Sequence, residues 1–354
     1  MKILYGVQAT GNGHITRARA MQPALARRGV EVDFLFTGRS REKLFDMDAF
    51  GRYDVRRGLT FAIERGRVNL PKTVLQANLL ELVRDVRTLD LSPYDLVLTD
   101  FEPVSAWAAR RSGKPCIGIG HQYAFPFDIP KAGDSWAAQQ VMKWFAPASI
   151  SLGAHWHHFN SPILPPLMHP TAETQEADSD QILVYLPFEE AADIMDLLEP
   201  ITDYRFHVFT DALPPGVQDN IEIHPFGRDN FQQKLQACQS VLCNAGFELA
   251  SEALQLGRRI LVKPMHGQME QASNAKALQE LGYGTAANQL TTELILHWMR
   301  TAPCVQIRYP DVADAVAQWV ASGDWSGTEN LVNSLWRQVD FGTHMKANNT
   351  HLIT

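Results

Sequence analysis

Short apolar runs alternate with amphipathic helical stretches over most of this chain. In the first half, strands are predicted at residues 2–7, 31–36, 96–99 and 115–118, and helices between them at 15–28 and 73–89. A second series follows, with strands predicted at residues 181–186, 205–209, 221–224, 241–244 and 260–262. Strands that alternate with helices are typical of a parallel sheet covered on both faces. The pattern therefore predicts an α/β protein with two doubly wound, Rossmann-like domains.

A proline-rich segment separates the two series. Residues 160–171 read NSPILPPLMHPT, and proline cannot continue either sheet because it lacks an N–H donor. A chain of 354 residues is also long for a single core. We interpret residues 160–171 as a linker between an N-terminal domain (1–159) and a C-terminal domain (172–329). Residues 330–354 are predicted to form a C-terminal helix and tail that can cross back to the first domain.

The two halves differ in charge. Residues 1–160 carry 21 Lys and Arg against 15 Asp and Glu, whereas the remainder carries 11 against 24. The basic first half suits an anionic partner or an anionic membrane surface. Nucleic acid is not an expected partner, because the whole chain has a net charge of −7 and contains no basic motif interleaved with aromatic residues.

The expected absence of a targeting signal and the spacing of the cysteines predict a cytoplasmic protein. No apolar run is long enough to span a bilayer, and the first residues, MKILYGVQA, are expected to form a strand rather than a signal peptide. The four cysteines lack metal-binding or redox spacing. The apolar stripe at residues 136–145 is expected to be core, with peripheral contact at the inner membrane face as the alternative.

Residues 243–284 contain the strongest candidate for a ligand site. Two strand-to-helix junctions lie here, at the turn Ala245-Gly246 and in the loop before a helix predicted at 268–281. The free N–H groups of both helix starts would face one crevice at the edge of a parallel sheet, where they favour an anion. Gly246 lets a diphosphate approach the backbone. Glu252 is placed to accept hydrogen bonds from a ribose diol, and Glu270 and Gln271 are placed to bind sugar hydroxyls.

This segment resembles the donor-binding signature of the GT-B glycosyltransferases. It is similar to the plant UDP-glycosyltransferase pattern HCGWNSxxE…GxPxxxxP…DQxxNA, and to the bacterial family that adds N-acetylglucosamine to lipid-linked muramyl peptide. The matching positions are, in register, Asn244, Gly246 and Glu252, followed by Glu270, Gln271, Asn274 and Ala275. The resemblance implies two domains that face each other across a cleft, with the donor diphosphate at residues 244–247, Phe247 included. Asn244 replaces the signature histidine and Glu270 replaces its aspartate, which leaves the donor sugar open.

Three further positions are weaker candidates for donor contacts. Phe226 and Arg228 follow the strand predicted at 221–224, where relatives hold the base through backbone groups. Arg228 can instead neutralise phosphate or begin the next helix. His266 lies in the loop before Glu270 and can contact phosphate or sugar, although an ordinary loop role fits each of these residues as well.

The loop after the first strand, GVQATGNGHITRAR, holds the candidate catalytic residue. Gly11 and Gly13 precede a helix that starts at His14. An NAD-binding fingerprint is disfavoured, because Thr16 occupies its third glycine position and no acid ends the second strand. The loop is instead similar to the GxGH loop on the acceptor side of GT-B enzymes. His14 is a candidate general base, and Asp100, at the end of another first-domain strand, is its expected orienting partner.

Other roles remain open for these residues. His14 can position a phosphate or an acceptor without taking a proton. Asp100 can cap a helix predicted at 103–111, and Glu102 can take the place of Asp100 beside the base.

Two further groups follow in the first half. His121 and Gln122, after the strand predicted at 115–118, are candidate acceptor contacts. The run HWHH at residues 155–158 is not expected to bind a metal, because consecutive positions do not converge on one ion.

Together these features predict a metal-independent glycosyltransferase of the hexosyltransferase type. It would move a sugar from a nucleotide-sugar, with a UDP-sugar as the first choice, to an acceptor hydroxyl in envelope lipid or polysaccharide synthesis. The nucleotide-sugar is a substrate, so no cofactor is expected. The acceptor is not defined, beyond the anionic or lipid-linked compound that the basic first half would suit. The alternatives are a sugar-nucleotide 2-epimerase or hydrolase of the same fold, and a sugar-nucleotide-binding protein without catalysis.

Overall fold

The computed structural model describes residues 1–59, 63–64, 67–68, 78–133, 136–169 and 177–342. Within them the chain forms two large sheets flanked by helices. A short antiparallel pair, Ile63–Glu64 (β4) and Arg67–Val68 (β5), stands apart from both. The predicted α/β class with two doubly wound sheets is confirmed.

Six parallel strands form the first sheet, in the order β3-β2-β1-β6-β7-β8. They are Lys2–Gln8 (β1), Glu31–Thr37 (β2), Tyr53–Arg56 (β3), Leu96–Asp100 (β6), Cys116–Gly120 (β7) and Ile150–Gly153 (β8). The described helices of this half are Asn12–Arg27 (α1), Leu79–Thr88 (α2), Pro103–Ser112 (α3) and Trp136–Trp144 (α4). Counted within the sheet, the strand order is the doubly wound 3-2-1-4-5-6, so the winding direction switches between β1 and β6.

The second sheet repeats this arrangement. Its order is β11-β12-β10-β9-β13-β14-β15, and all pairs are parallel except β11 with β12. The strands are Asp178–Tyr185 (β9), Arg205–Phe209 (β10), Gly216–Gln218 (β11), Ile221–His224 (β12), Cys238–Asn244 (β13), Arg259–Lys263 (β14) and Thr285–Ala286 (β15). The helices are Ala191–Leu198 (α5), Arg228–Ala237 (α6), Phe247–Gln255 (α7), Met269–Glu280 (α8), Thr292–Thr301 (α9), Val312–Ser322 (α10) and Thr328–Trp336 (α11). The switch in winding direction lies between β9 and β13.

The observed element boundaries differ from the predicted ones mainly at the ends. The helix predicted from residue 15 begins at Asn12, because Gly11 already has the extended conformation of an N-cap, with φ −111° and ψ 163°. The helix predicted at 73–89 begins at Leu79, because the Asn78 side chain accepts from the Glu81 N–H as an N-cap; positions 73–77 of the prediction lie outside the described residues.

The two halves pack tightly against each other. One hydrophobic cluster contains residues of both sheets, such as Tyr5 and Val241, and α1 contacts both α7 and α10. The helix that lies on α1 is therefore α10, upstream of the segment 330–354 that we expected to cross back; α11 packs against α10. Within that segment, the Trp336 indole donates to the Ile163 carbonyl at 2.6 Å. The domain boundaries stay predictions, and residues 170–171 and 343–354 lie outside the described residues.

The stripe at residues 136–145 is only partly core. Met142 and Phe145 pack inward, whereas the side chains of Trp136 and Trp144 are exposed. In the part of the chain that the structure describes, no helix combines the length and the apolar character needed to cross a bilayer.

We expect Gly153→Ala to destabilise the first sheet. An added Cβ would lie 2.7 Å from both the Cα and the N of Ala124, in the turn that carries His121 and Gln122, and these backbone atoms cannot move aside cheaply. Overpacking of this kind costs about 1–3 kcal/mol of unfolding free energy, which urea denaturation would measure. Gly216→Ala is the control, because a Cβ there meets nothing within 4 Å. Equal stability of the two variants would contradict the expectation.

Candidate active site

His14 and Asp100 meet at the switch point of the first sheet. His14 lies in the first turn of α1, and Asp100 is the last residue of β6, whose neighbour is β1. The His14 Nδ1 atom is 2.6 Å from Asp100 Oδ1, and the Asp100 carboxylate is fully buried. The contact fixes the ring so that Nδ1–H donates to the carboxylate and Nε2 is the nitrogen that can accept a proton. The predicted pair is thus brought together, and its catalytic role stays a proposal.

Arg17 binds the other side of Asp100. Its Nε donates to Asp100 Oδ2 at 2.7 Å and its Nη2 donates to Oδ1 at 2.8 Å, a bidentate arrangement. Burial opposes ionisation of Asp100, but the Arg17 charge and the hydrogen bonds from Arg17 and His14 outweigh it and hold the pKa of this carboxyl below its usual value. Asp100 is therefore an anion that accepts hydrogen bonds from both Arg17 and His14.

Glu102, and not Asp100, caps the next helix. Its carboxylate accepts hydrogen bonds from the backbone N–H groups of Val104 and Ser105 at 2.7 and 2.6 Å. It also accepts from the Thr37 hydroxyl at 3.0 Å and is fully buried. These contacts make Glu102 the N-cap of α3, so the alternative in which Asp100 caps this helix is wrong. The alternative in which Glu102 takes the place of Asp100 beside His14 is wrong as well, because Asp100 is the residue that contacts His14.

Arg17 also links the two halves of the molecule. Its Nη1 donates to Glu248 Oε1, and Glu248 lies in the first turn of α7 on the second half. Gly13 permits this approach, because a Cβ there would come within 2.9 Å of Glu248 Cγ. Burial raises the pKa of Glu248 to about 8, although the Arg17 charge acts in the opposite direction. Gly11 has no such neighbour, since no atom of the described residues lies within 4 Å of the position that its Cβ would take.

The predicted diphosphate turn lies at the switch point of the second sheet. Asn244 ends β13 and donates to the Lys263 carbonyl at 3.0 Å, and Gly246 is the N-cap of α7 without a side-chain hydrogen bond. The first N–H groups of α7 therefore remain available to a ligand. A Cβ at Gly246 would meet no atom of the described residues within 4 Å, so the turn is open to them on that side.

Phe247 and His121 pack against each other between the two halves. Their rings stack with centroids 4.1 Å apart and planes 4° apart, and Trp156 stacks on the same phenyl ring at 5.0 Å. His121 is buried, and its Nδ1 and Nε2 contact the Ala154 carbonyl at 2.9 Å and Asn274 Oδ1 at 2.6 Å. Both ring nitrogens of His121 are therefore engaged within the protein, and its contact with the acceptor stays a prediction. The Phe247 ring is occupied by this stacking, so the predicted contact of Phe247 with the nucleotide-sugar would be made by its backbone N–H.

A second contact between the halves joins Gln122 to Glu270. The Gln122 side chain donates to Glu270 Oε1 at 3.0 Å. Gln271 is buried, and its Oε1 accepts from the Met265 N–H at 2.8 Å, so it orders the loop that contains His266. Of the predicted sugar-binding pair, Glu270 is the more accessible residue.

The remaining donor candidates lie around α6 and α7. Glu252 accepts from the Gln232 side chain at 3.0 Å, and burial raises its pKa. Phe226 packs edge-on against Tyr185 at 5.8 Å, and the Arg228 N–H donates to Asp46 Oδ2 at 3.0 Å across the interface. His266 is exposed.

The histidine run at residues 155–158 does not converge. His155, His157 and His158 each accept a backbone N–H on Nδ1 from a residue one or two positions ahead, at 2.8–3.0 Å. Local turns therefore account for these side chains.

Three buried side-chain oxygens without a partner among the described residues lie at this junction. They are Gln122 Oε1, Asn244 Oδ1 and Glu248 Oε2. Seven other buried side-chain atoms lack a partner among the described residues, but these three oxygens lie together near the open start of α7, where a polar ligand could satisfy them.

Arg17 and Glu248 are the site residues that the sequence analysis missed. No role was predicted for Arg17 from the sequence, yet only 2% of it is exposed. Its spacing of three residues from His14 on one helix was the available signal. Glu248 lies inside the donor signature but at a position without a predicted role.

The comparisons with known proteins agree with this architecture. The family described as glycosyl transferase family 1 matches residues 1–303. A curated relative, an uncharacterized glycosyltransferase of Methanosarcina acetivorans, is 24% identical over 344 residues, covering 85% of this chain and 87% of the relative.

Solved structures share the fold at low identity. LpCGTa in complex with UDP is 15% identical and covers 94% of this chain and 98% of that one, with a TM-score of 0.60. The glycosyltransferase VinC in complex with dTDP is 14% identical and covers 95% and 99%, with a TM-score of 0.54. The predicted GT-B architecture is confirmed.

The raised pKa of Glu248 predicts a pH-dependent stability. Folding raises this pKa from 4.5 to about 8, so the folded state holds a proton that the unfolded state releases. Stability is therefore lost as the pH rises from about 4.5 to about 8, by on the order of a few kcal/mol. In Glu248→Gln this loss should be absent, which urea denaturation across that pH range would measure. The exposed Glu280→Gln is the control, and a Glu248→Gln profile parallel to the wild-type profile would refute the expectation.

Proposed function

This chain belongs to glycosyl transferase family 1, and we propose that it moves a sugar from a nucleotide-sugar to an acceptor hydroxyl with His14 as the general base. That it is a glycosyltransferase follows from the family. The observation that supports the specific proposal is the contact between the partly exposed His14 and the buried Asp100, which Arg17 and Glu248 connect to the open start of α7. A base and an anion-binding helix start thus belong to one continuous polar junction.

The proposed reaction is a single displacement. The acceptor hydroxyl gives its proton to His14 Nε2, while Asp100 holds the Nδ1 proton and stabilises the imidazolium that forms. The acceptor oxygen forms a bond to the anomeric carbon as the bond from that carbon to the diphosphate breaks. The electron pair of the broken bond leaves with the nucleoside diphosphate, so one displacement inverts the anomeric configuration.

The leaving diphosphate would be stabilised without a metal ion. The free N–H groups at the start of α7 donate hydrogen bonds, and the helix dipole favours negative charge there. Arg228 and His266 are additional candidates for phosphate contacts because both side chains are exposed at the edge of the second sheet. Closure of the site would exclude water and protect the donor from hydrolysis.

A uridine or thymidine diphosphate sugar is the proposed donor. Support comes from LpCGTa, which was solved with UDP, and VinC, which was solved with dTDP, both of similar fold. Glu252 would accept from the ribose hydroxyls in place of the Gln232 amide that it now binds at 3.0 Å. Glu270 would accept from sugar hydroxyls.

The acceptor is proposed to be an anionic or lipid-linked compound of the envelope. The basic first half supports this choice, since 21 Lys and Arg there exceed 15 Asp and Glu. Gln122, whose Oε1 lacks a partner in the described part of the chain, is the candidate that would contact the acceptor.

We expect one family of nucleotides to stabilise the protein through Glu252. In thermal-shift titrations with UDP-, dTDP- and GDP-sugars, one family should raise Tm, and Glu252→Ala should weaken its Kd about 10- to 100-fold because a charged hydrogen bond is lost. Glu280→Ala, an exposed glutamate on α8, is the matched control. Stabilisation by none of these compounds, in a folded protein, would refute the donor site.

Transfer should depend on His14 far more than donor binding does. His14→Ala should lower kcat about 10²- to 10⁴-fold because the general base is lost, with the donor Kd unchanged. The exposed His297→Ala is the control. Assays with lipid-linked and small hydroxyl acceptors would follow the release of nucleoside diphosphate and the glycosylated product.

Other outcomes of that assay would replace the proposal. Nucleotide release that needs no acceptor would identify a hydrolase, and an epimeric sugar nucleotide would identify a 2-epimerase. Donor binding without any turnover by the wild type would identify a binding protein.

A further inference from the structure

Three polar side chains meet on one face of the second sheet, on strands that do not carry His14 or Asp100. Glu222 and His224 are two residues apart on β12, so they point to the same face. His207, on β10, pairs with Glu222 in the parallel register. The register of two neighbouring strands therefore brings all three side chains together.

The three facing atoms form a small triangle. His207 Nδ1 lies 3.1 Å from His224 Nε2 and 3.0 Å from Glu222 Oε2, and the latter two atoms are 3.7 Å apart. A tetrahedral zinc ion with ligands at about 2.0–2.1 Å would hold its ligand atoms about 3.3 Å from one another. The observed separations scatter around that value.

The hydrogen bond from His207 to Gln181 determines which nitrogen of the His207 ring carries the proton. Gln181 donates its amide N–H to Asp178, so its Oε1 accepts from His207 Nε2–H at 3.0 Å. His207 Nδ1 then presents a lone pair toward Glu222 Oε2, which is also an acceptor. At 3.0 Å two lone pairs face each other, and a cation between them would turn this repulsion into attraction.

The second histidine also has an outer partner. As placed, the Asn230 Nδ2–H donates to His224 Nδ1 at 3.1 Å. Metal binding through His224 Nε2 requires the amide to turn, so that its oxygen accepts the Nδ1 proton. Metal-binding histidines commonly have their second nitrogen held by such an oxygen. His207 and His224 are both buried, whereas Glu222 is partly exposed and leaves a path for an ion.

From this geometry we propose that His207, Glu222 and His224 bind one divalent transition-metal ion, with zinc as the best match. Two imidazoles and a carboxylate are a common zinc ligand set, and solvent water would complete the tetrahedron. The site is separate from the proposed transfer reaction, in which no metal takes part. Its expected role is to hold β10 and β12 together.

Lys234 is the group that competes with the ion. Its Nζ lies 3.2 Å from Glu222 Oε2 and balances that carboxylate when no metal is bound. An ion at the triangle would displace this partly exposed ammonium group toward solvent. Lys234 and Asn230 both belong to α6, and Gln232 of the same helix binds Glu252, so metal binding would change the contacts of the helix beside the proposed ribose position.

The test uses the full chain, freed of any histidine tag and treated with a chelator. Titration with Co²⁺ should produce the visible absorption of tetrahedral cobalt, and Zn²⁺ should abolish that absorption at one equivalent per chain. Equilibrium dialysis with elemental analysis gives the stoichiometry, and Zn²⁺ should raise Tm. Absence of a bound ion in the wild type would overturn the proposal.

The variants separate this site from adventitious binding. Glu222→Gln should weaken metal binding at least ~100-fold, and Gln181→Ala should weaken it about 10- to 100-fold. Glu222 is partly exposed, so the first variant should fold, which circular dichroism would check. His158→Asn, in the histidine run of residues 155–158, should bind the ion as the wild type does. Loss of binding in His158→Asn with retention in Glu222→Gln would overturn the proposal.

Lys234→Met gives a test in the opposite direction. Removing the competing ammonium should strengthen metal binding, and about tenfold is expected for the loss of one nearby like charge, which corresponds to 1.4 kcal/mol. If the cluster is only a hydrogen-bonded network, the same variant should lower Tm and bind no metal. That second result would refute the proposal.

Discussion

The buried hydrogen-bonded network Asp100–Arg17–Glu248 is the interaction on which the arrangement of the candidate site depends. A guanidinium that is 2% exposed is costly to bury unless carboxylates surround it, and here the two carboxylates come from different halves of the molecule. If the halves separated, Arg17 would keep Asp100 and lose Glu248. The contacts of Arg17 with Asp100 and Glu248 therefore couple the packing of the halves to the position of His14, since Asp100 contacts both Arg17 and His14.

The repeated topology explains why this contact lies next to a ligand site. Each sheet has the strand order that leaves a crevice where the winding direction switches, between β1 and β6 in the first and between β9 and β13 in the second. α1 and α7 both begin at these points, and they contact each other. Helix starts with free N–H groups and the ends of the central strands are thus gathered at one junction. Three buried oxygens that have no partner among the described residues lie there.

Different physical constraints operate in the cluster of His207, Glu222 and His224. In the Asp100–Arg17–Glu248 network, every close contact pairs a donor with an acceptor. In the second-sheet cluster, the strand register places two acceptor atoms 3.0 Å apart, with a lysine as the nearest compensating charge. The two polar clusters therefore differ in function. The contacts of Arg17 with Asp100 and Glu248 hold two halves of the molecule together, whereas the cluster of His207, Glu222 and His224 is suited to an ion.

Local patterns in the sequence were enough to predict the two alternating series, the open turn at Gly246 and the meeting of His14 with Asp100. These follow from periodicity, turn chemistry and the rule that parallel strands end at one sheet edge, all of which act over short stretches or through fold class. Tertiary structure decided that Glu102 caps α3, that His121 stacks on Phe247, and that Arg17 is buried rather than solvated. Arg17 and Glu248 are 231 residues apart, and His207 meets Glu222 only through strand register. Such contacts depend on which surfaces pack together, because a side chain's own sequence neighbourhood is the same whether it faces water or a distant carboxylate.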